Sequence, residues 1–362
     1  MRFGFVGLGR AARLYHVPAL RKISDVVLIG GFDDSAAQRD GWRQETGLPT
    51  FESLDELLER GSPDVVVVAT PPASHADLCV RALESGAHVV VEKPFVTTAA
   101  EGDRVLRAAS AADRQVAVNH QYREKLIFSA VRDAIRSERY GRLAFCQLWQ
   151  LMNQAPWNDK TLWRAEMARR TLLEGGVHLV DLMIVLFGEL PVAVSAQHSA
   201  GVYADTDADA VQLVTLEFSG GRLGQITIDR LCQGGTRYFE VRADCERASL
   251  RASLGGRALL QVGMKRAERP GAKIDFGLGG LAWAEQGLRR TVLARSPKGQ
   301  NVQATQVLLQ QVVDAFRSGV EPPSSAREAR DVIAVIEAAY DSAETGRRVE
   351  LIDRLSRSTQ AA

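Results

Sequence analysis

The chain has 362 residues, 46% of them hydrophobic and 25% charged, which is typical of a globular protein of roughly two domains. Its 45 basic and 44 acidic side chains leave a formal net charge of +1, which argues against nucleic acid or a membrane surface as a partner. No apolar run approaches the ~18 residues of a membrane span, and no signal peptide is recognisable. We therefore expect a cytoplasmic protein.

The first third of the chain alternates short β-branched runs with helical patterns. Five strands are predicted, at 3–6, 26–32, 64–69, 88–92 and 115–118. The runs DVVVVAT and AHVVVE are apolar on both faces, as expected of parallel strands covered by helices on both sides. We therefore predict that residues 1–120 form a doubly wound α/β domain of the Rossmann type.

A glycine pair follows the first of these strands. Gly7 and Gly9, with Ala12 at the position of a third glycine, lie at the start of a helix, where backbone N–H groups can approach a pyrophosphate. Asp33 ends the second strand, where an acid would accept hydrogen bonds from ribose hydroxyls. Asp33 and Asp34 would repel a 2′-phosphate, so we expect NAD, with NADP as the alternative. The alternative is a turn that joins the strand to the helix and binds no ligand.

Two loops follow later strands of the same sheet. ATPPASH (69–75) and VEKPF (91–95) each begin where a predicted parallel strand ends. Ligands of open α/β sheets bind just beyond the carboxyl ends of the strands. We therefore expect both loops to face the nicotinamide.

The pattern changes after about residue 120. A helix-like stretch at 124–137 leads to longer alternating segments, and the break at 218–222 between two of them is typical of a hairpin. Two closing helices are predicted at 302–318 and 325–345. We predict that residues 121–362 form an α+β domain for substrate binding and oligomerisation, with a largely antiparallel, open sheet.

No metal site is expected. Cys79, Cys146, Cys232 and Cys245 are too far apart for paired zinc ligands, so we interpret them as reduced, mostly buried thiols. The segment DTDADA (205–210) has the alternating acids of a calcium loop but lacks the central glycine and the terminal glutamate. An acidic loop before a strand is the better interpretation.

The motifs, taken in order, resemble the Gfo/Idh/MocA oxidoreductases. The resemblance rests on the glycine turn, Thr70, His75 and above all Glu92-Lys93-Pro94. VNHQYR (118–123) is similar to the family segment that enters the second domain, and LLEGGVHLVDLMIVLFG (172–188) is similar to the catalytic helix. The ending EAAYDSAETGRRVEL resembles the last helix and closing strand, so the resemblance covers nearly the whole chain.

The resemblance implies an NAD(P)-dependent dehydrogenase acting on a secondary hydroxyl of a sugar, inositol or related polyol. Lys93 would bind the reacting oxygen and stabilise alkoxide character. His178 would be the general base, since histidine titrates near neutral pH. Glu174 lies four residues before His178 on the same helix face and would orient or stabilise the ring. The family usually has aspartate there, so Glu174 is a departure.

The resemblance also implies two sets of ligand contacts. The predicted dinucleotide contacts are Gly7, Gly9, Arg10, Ala11, Ala12, Asp33, Thr70, Pro71, His75, Glu92 and Lys93. The predicted substrate contacts are Lys93, Arg123, Trp163, Arg164, His178 and Asp181. Some of these residues have a structural role as the alternative. His75 would then be a packed ring, Asp181 a structural acid, and Trp163 and Arg164 a packed indole and a surface guanidinium.

Two alternative functions remain open, and we also expect the chain to form an oligomer. Some proteins resembling this family are glycosidases that use tightly bound NAD for a transient oxidation, and a dinucleotide-binding sensor without turnover is a second alternative. An open sheet with one uncovered face favours burial against a second copy. We therefore expect a homodimer or homotetramer, and the glycine-rich stretch 275–290 could pack against a neighbouring subunit.

Overall fold

The computed structural model describes the chain except residues 155–161, 166, 168, 200–201, 203–207, 234–238, 255–256, 265–269, 278–279, 298 and 356–362. For 162, 165, 257–264 and 270–277 only the backbone is described. The acidic segment at 205–210 and the glycine-rich stretch at 275–290 therefore lie partly outside the described residues.

The first sheet has five parallel strands in the order β2-β1-β3-β4-β5. Its strands are β1 (Arg2–Val6), β2 (Val27–Phe32), β3 (Val65–Val68), β4 (His88–Val91) and β5 (Val116–Val118). The predicted strands differ from these by at most one residue at each end. Central strands such as β3 are buried on both faces, because apolar helices pack against each side.

Helices connect these strands. They are α1 (Val17–Leu20), which continues a π-helical turn at Ala12–His16, α2 (Ala36–Thr46), α3 (Leu54–Glu56), α4 (His75–Glu84) and α5 (Ala99–Ala112). Several of these helices begin or end at capping residues that are close to the helix end in sequence. Thr98 and Glu101 form a capping box at the start of α5, and Gly47 ends α2 in the left-handed conformation.

The second half of the chain contributes five more helices. They are α6 (Leu126–Arg136), α7 (Leu162–Ala165), α8 (Val177–Phe187), α9 (Gln300–Ser318) and α10 (Ala326–Thr345). A second π-helical turn at Thr171–Gly176 leads directly into α8. The two predicted closing helices are confirmed within two residues at each end.

Nine strands of the second half form a mixed sheet in the order β15-β14-β11-β10-β6-β9-β8-β7-β16. All neighbouring strands are antiparallel except β6 and β9. In the described part of the chain, two further strands, β12 and β13, form a separate two-stranded sheet. The strands are β6 (Leu143–Leu151), β7 (Ala193–Ser199), β8 (Val211–Phe218), β9 (Arg222–Asp229), β10 (Phe239–Cys245), β11 (Ala248–Leu254), β12 (Arg257–Met264), β13 (Pro270–Gly277), β14 (Leu281–Gln286), β15 (Arg289–Arg295) and β16 (Val349–Glu350).

The structure confirms an N-terminal parallel sheet followed by a largely antiparallel one. Helices α6, α8 and α10 cover one face of the nine-stranded sheet. On β8 and β9, alternate side chains such as Leu213 and Leu223 stay exposed. The hairpin at 218–222 is also confirmed, with Phe218 opposite Arg222.

Helix α9 does not pack on the sheet nearest to it in sequence. Its apolar side chains Leu308, Leu309 and Val312 share a core with Phe3 and Phe5 of the first sheet. Helix α10 contacts both α5 and β7. The two halves are therefore joined by packed helices as well as by the chain, an arrangement that the periodicity of α9 does not reveal.

None of the described helices combines the length and apolar character needed to cross a membrane.

Candidate active site

The turn after β1 has the geometry of a phosphate-binding loop. Gly7 has φ +87°, and a Cβ added there would lie 2.7 Å from the backbone of Ala69 and Thr70. A Cβ added at Gly9 would meet no atom within 4 Å. Gly7 is therefore required by the backbone, whereas Gly9 leaves open surface at a helix start, which fits the pyrophosphate of a dinucleotide.

Asp33 lies at the end of β2, beside this turn. Its carboxylate accepts hydrogen bonds from the backbone N–H of Leu8, at 2.8 Å, and of Ser35, at 2.9 Å. Arg39 donates to the carbonyl oxygens of Asp33 and Asp34. The backbone N–H groups of Leu8 and Ser35 thus hold the acid beside the glycine turn. Of the other predicted contacts in this turn, Arg10 is exposed, Ala11 is half-buried and Ala12 is buried.

The loops after β3 and β4 are joined by His75. Its Nε2 lies 2.8 Å from the Thr70 carbonyl oxygen, and its Nδ1 lies 3.0 Å from that of Pro94 and 3.2 Å from that of Phe95. The ring is fully buried, and burial lowers its pKa, so it is neutral and donates from one nitrogen at a time. These contacts are those of a residue that positions the two loops. Pro71, in the first loop, is exposed.

A buried hydrogen-bond group lies behind the second loop. Glu92 accepts hydrogen bonds from His16 Nε2 and Asn119 Nδ2, both at 2.7 Å. Burial alone would raise the pKa of Glu92, but His16, Asn119 and the charge of Lys93 lower it to about 2. His16 and Asn119 were not predicted as site residues, because they belong to segments that are far apart in sequence and meet only when the chain folds.

Lys93 reaches from the first half of the chain to the second. Its Nζ donates to the Glu174 carbonyl oxygen at 3.1 Å and lies 3.4 Å from Oε1 of the same residue. Arg164 Nε lies 3.4 Å from that oxygen, and Arg230 Nη2 lies 3.7 Å from Oε2. Burial would raise the pKa of Glu174, but Lys93, Arg230 and Arg164 lower it to about 2. The carboxylate is therefore ionised and surrounded by cations.

Glycine in the π-helical turn admits one of these cations. A Cβ added at Gly175 would lie 1.8 Å from Arg230 Nη2. Arg230 is almost fully buried and also donates to Gln154 Oε1 at 2.6 Å. A side chain at position 175 would displace the guanidinium from beside Glu174.

His178, in the first turn of α8, stacks on Tyr122. The ring centroids are 4.0 Å apart and the planes differ by 10°. The ammonium of Lys125 lies 4.3 Å from the Tyr122 centroid, and since His178 occupies one face of that ring, Lys125 occupies the other. Burial and the charges of Lys93, His120 and Lys125 hold the pKa of His178 well below its usual range, against an opposing effect of Asp181. The imidazole is therefore neutral near pH 7 and able to accept a proton.

The expected pairing of Glu174 with His178 is not formed. Among the described residues, Glu174 contacts the three cations, and Nδ1 of His178 has no hydrogen-bond partner. The expected pairing requires a regular α-helix between the two residues. Glu174 lies instead in the π-helical turn, and its side chain, longer than that of an aspartate, extends toward Lys93. Glu174 thus acts on Lys93, Arg164 and Arg230 and not directly on His178.

Asp181 and Arg123 form a buried ion pair below His178. Arg123 Nε lies 2.8 Å from Oδ2 and 3.0 Å from Oδ1 of Asp181, and Arg123 also pairs with Glu328. His120 Nδ1 lies 3.3 Å from Asp181 Oδ1. Burial opposes the ionised form, but Arg123 and His120 lower the pKa of Asp181. With both charges satisfied inside the protein, these residues hold Tyr122 and α8 in place.

Two residues predicted to contact substrate lie on the short helix α7. The guanidinium of Arg164 packs over the Trp163 ring, 4.9 Å from Cζ to the centroid. Both side chains are half-buried.

Lys125, which was not predicted, is buried with Asn301 as a hydrogen-bond partner, and burial lowers its pKa to about 8. Lys125 follows Arg123 and Glu124 in sequence, and this stretch gives no signal of the contact.

Sequence comparison identifies both halves of the chain. Residues 1–120 match the sequence model of an oxidoreductase family with an NAD-binding Rossmann fold, and residues 128–251 match the GFO/IDH/MocA C-terminal domain. The rhizopine catabolism protein MocA of Rhizobium meliloti is 30% identical over 233 residues, 63% of this chain and 71% of the relative. The scyllo-inositol 2-dehydrogenase (NADP⁺) IolW of Bacillus subtilis is 25% identical over 97% of this chain and 96% of its own length.

Solved structures share the fold over nearly the whole length. An oxidoreductase from Agrobacterium radiobacter, solved in complex with NAD⁺, L-tartaric acid and magnesium, superposes with a TM-score of 0.82 at 18% identity, covering 98% of this chain and 99% of the other. A myo-inositol dehydrogenase homologue from Sinorhizobium meliloti superposes with a TM-score of 0.76 at 21% identity, covering 97% of this chain and 99% of the other. The arrangement of the two sheets is thus that of known oxidoreductases.

Proposed function

Because the chain belongs to the GFO/IDH/MocA family of NAD-binding oxidoreductases, we propose that it oxidises a secondary hydroxyl of a sugar, inositol or related polyol, or reduces the corresponding ketone. Named relatives include a scyllo-inositol dehydrogenase and a UDP-N-acetylglucosamine dehydrogenase. The observation that carries the proposal is that a partly exposed ammonium, Lys93, lies close enough to a buried, neutral imidazole, His178, to lower its pKa.

The dinucleotide would lie along the carboxyl ends of the first sheet. Gly7, Gly9 and the helix that follows would hold the pyrophosphate, and Asp33 would bind the adenosine ribose. The loops at Thr70 and Lys93 would border the nicotinamide. When bound, this cofactor supplies the acceptor of the hydride.

NAD is the proposed cofactor, with NADP as the alternative. The Asp33 carboxylate occupies the end of β2, with Asp34 next to it. Nearby Arg39 is already paired with Glu52, 3.6 Å away, so its charge is partly neutralised. A 2′-phosphate would meet more negative than positive charge here.

Lys93 and His178 divide the remaining chemistry. The Lys93 ammonium binds the substrate oxygen and stabilises alkoxide character as the hydroxyl proton leaves. Neutral His178 accepts that proton, and its low pKa keeps it in the accepting form at pH 7. Glu174 fixes the position of the Lys93 side chain through two contacts and is a positioning residue.

A homodimer or homotetramer and a cytoplasmic location stay predictions. The outer face of the nine-stranded sheet exposes Leu213 and Leu223. Burial of that face against a second copy would remove this apolar surface from water. Light scattering of the purified chain measures the assembly directly.

The test measures reduced nicotinamide by absorbance while the protein, with NAD or NADP, is offered sugars, inositols and polyols. Lys93→Met and His178→Asn should each lower kcat/KM by at least about a hundredfold, as removal of a charge-stabilising or proton-accepting group does. Dinucleotide binding by the His178→Asn variant should persist. Reduction that survives unchanged in both variants would contradict the proposal, and glycoside cleavage without net reduction would replace it with hydrolysis.

A further inference from the structure

The Glu174 carboxylate is shared by three cations. Oε1 lies 3.4 Å from both Lys93 Nζ and Arg164 Nε, and Oε2 lies 3.7 Å from Arg230 Nη2. The low pKa of Glu174 means that it carries one full negative charge. These four side chains, here named the Glu174 cluster, therefore retain an excess of positive charge.

The cations of the cluster differ in their access to a ligand. The Arg230 side chain is 2% exposed and is held inside by Glu174 and Gln154. The side chains of Lys93 and Arg164 keep 16% and 34% of their surface exposed. Since both contact the same oxygen of Glu174, the two accessible cations are close neighbours.

Arg164 has hydrogen-bond donors to offer. Its guanidinium packs over the Trp163 ring, which limits its orientation. Among the described residues, its contacts are this ring and the ion pair of its Nε with Glu174, so its terminal nitrogens make no hydrogen bond to that part of the chain. A guanidinium with free parallel donors matches the two oxygens of a carboxylate.

We propose that the substrate is a sugar acid, with its carboxylate on Arg164 and a nearby hydroxyl on Lys93. This rests on the proposed function, in which Lys93 binds the reacting oxygen. The short span between the two cations places the carboxylate within a few bonds of that hydroxyl. A phosphate on a remote carbon would not bridge them, and a neutral polyol would leave the excess charge unmatched.

The experiment measures binding and turnover separately, with matched pairs that differ by a carboxylate. The pairs are D-glucuronate with D-glucose, D-galacturonate with D-galactose and D-gluconate with D-glucitol, and glucose 6-phosphate tests a remote anion. Calorimetry with the NAD-loaded protein gives Kd, and absorbance gives kcat/KM. In at least one pair the acid should bind about tenfold or more tightly than the neutral sugar, as a charged hydrogen bond provides.

Arg164→Gln should remove most of that preference, because the charged partner of the carboxylate is lost. Arg164→Lys should keep part of it, because the charge remains without the planar fork. Arg169→Gln is the matched control, since Arg169 lies five residues away and pairs with Glu344 on the surface, 2.8 Å away. This control should keep the preference of the unaltered protein.

The outcomes separate this inference from the proposed function. Equal affinity within every pair, or a preference for glucose 6-phosphate over all the acids, overturns the inference, as does an unchanged preference in Arg164→Gln. Neutral polyols oxidised as efficiently as the acids uphold the proposed function and overturn the inference. Acids that bind selectively without reducing the dinucleotide uphold the inference and contradict the proposed function.

Discussion

Burial and nearby cations together keep the His178 imidazole neutral. Lys125 lies across the Tyr122 ring from it, and the charge of Lys93 also lowers its pKa. Lys125 is 2% exposed and has Asn301 as its hydrogen-bond partner, so it acts on His178 through its field and not by touching substrate. Lys125, buried behind the Tyr122 ring, is thus one of the groups that lower the pKa of the base.

Removal of that charge should move the pH profile. In Lys125→Met the imidazolium form of His178 loses a repulsive neighbour, so the pKa of His178 rises. Because kcat/KM needs the neutral ring, its acid limb should move to higher pH by about one unit, the order expected for charges separated by one stacked ring. The pH dependence of kcat/KM measures this shift.

The matched control is Lys22→Met, which removes the same charge from an exposed position outside the site. Its acid limb should coincide with that of the unaltered protein. An acid limb that stays in place in Lys125→Met would show that Lys125 has no electrostatic effect on the base.

Glycines shape two of the turns that border the site. The first turn brings Gly7 against the end of β3, and its positive φ lets the chain leave β1 without a clash. In the second half, the π-helical turn before α8 directs Glu174 toward Lys93, and Gly175 makes room for Arg230. Gly7 is thus needed for its backbone conformation, and Gly175 is needed because a side chain there would clash with Arg230.

The two glycines of the first turn should respond differently to alanine. Gly7→Ala places a Cβ 2.7 Å from the backbone at a positive φ and should cost about 2 kcal/mol or more of the free energy of unfolding. Gly9→Ala meets no atom within 4 Å and should unfold like the unaltered protein, yet bind NAD about tenfold more weakly or worse, because its methyl fills the approach of the pyrophosphate.

Urea unfolding without cofactor and calorimetric titration with NAD separate these two effects. Each glycine variant serves as the control for the other. Undiminished NAD affinity in Gly9→Ala would place the pyrophosphate elsewhere.

The whole molecule is held together across its two sheets. Helix α9, more than 180 residues after β5, completes the apolar cover of the first sheet with Leu308, Leu309 and Val312. Lys93 and Glu174 link the same halves at the site. The first sheet therefore has its complete core only in the context of the full chain.

Residues 1–120 alone should therefore fail to fold stably. Without α9, one face of the sheet, including Phe3 and Phe5, would be open to water. Fusion of 300–318 to this fragment through a flexible linker should restore cooperative unfolding, followed by circular dichroism in urea. A fusion in which Leu308, Leu309 and Val312 are replaced by serine is the control and should stay unfolded. Cooperative unfolding of the bare fragment would contradict the expectation.

The local pattern was enough to predict the strands and the glycine turn after the first of them. The apolar runs at 65–68 and 88–91 and the turn at Gly7 depend on neighbours in sequence, so they could be recognised there. Lys93 and His178 were identified through family resemblance. His16, Asn119 and Lys125 could not be identified in that way, because their partners lie far along the chain.

The sequence by itself determined the two-sheet architecture, the glycine turn and the family, since alternation, caps and ordered motifs are local properties. Only the tertiary structure decided that Glu174 pairs with Lys93 and not with His178, that Asp181 is occupied by Arg123, and that α9 covers the first sheet. Burial and charge pairing depend on which distant segments meet. That meeting is fixed when helices and sheets pack, so a spacing rule along one helix cannot supply it.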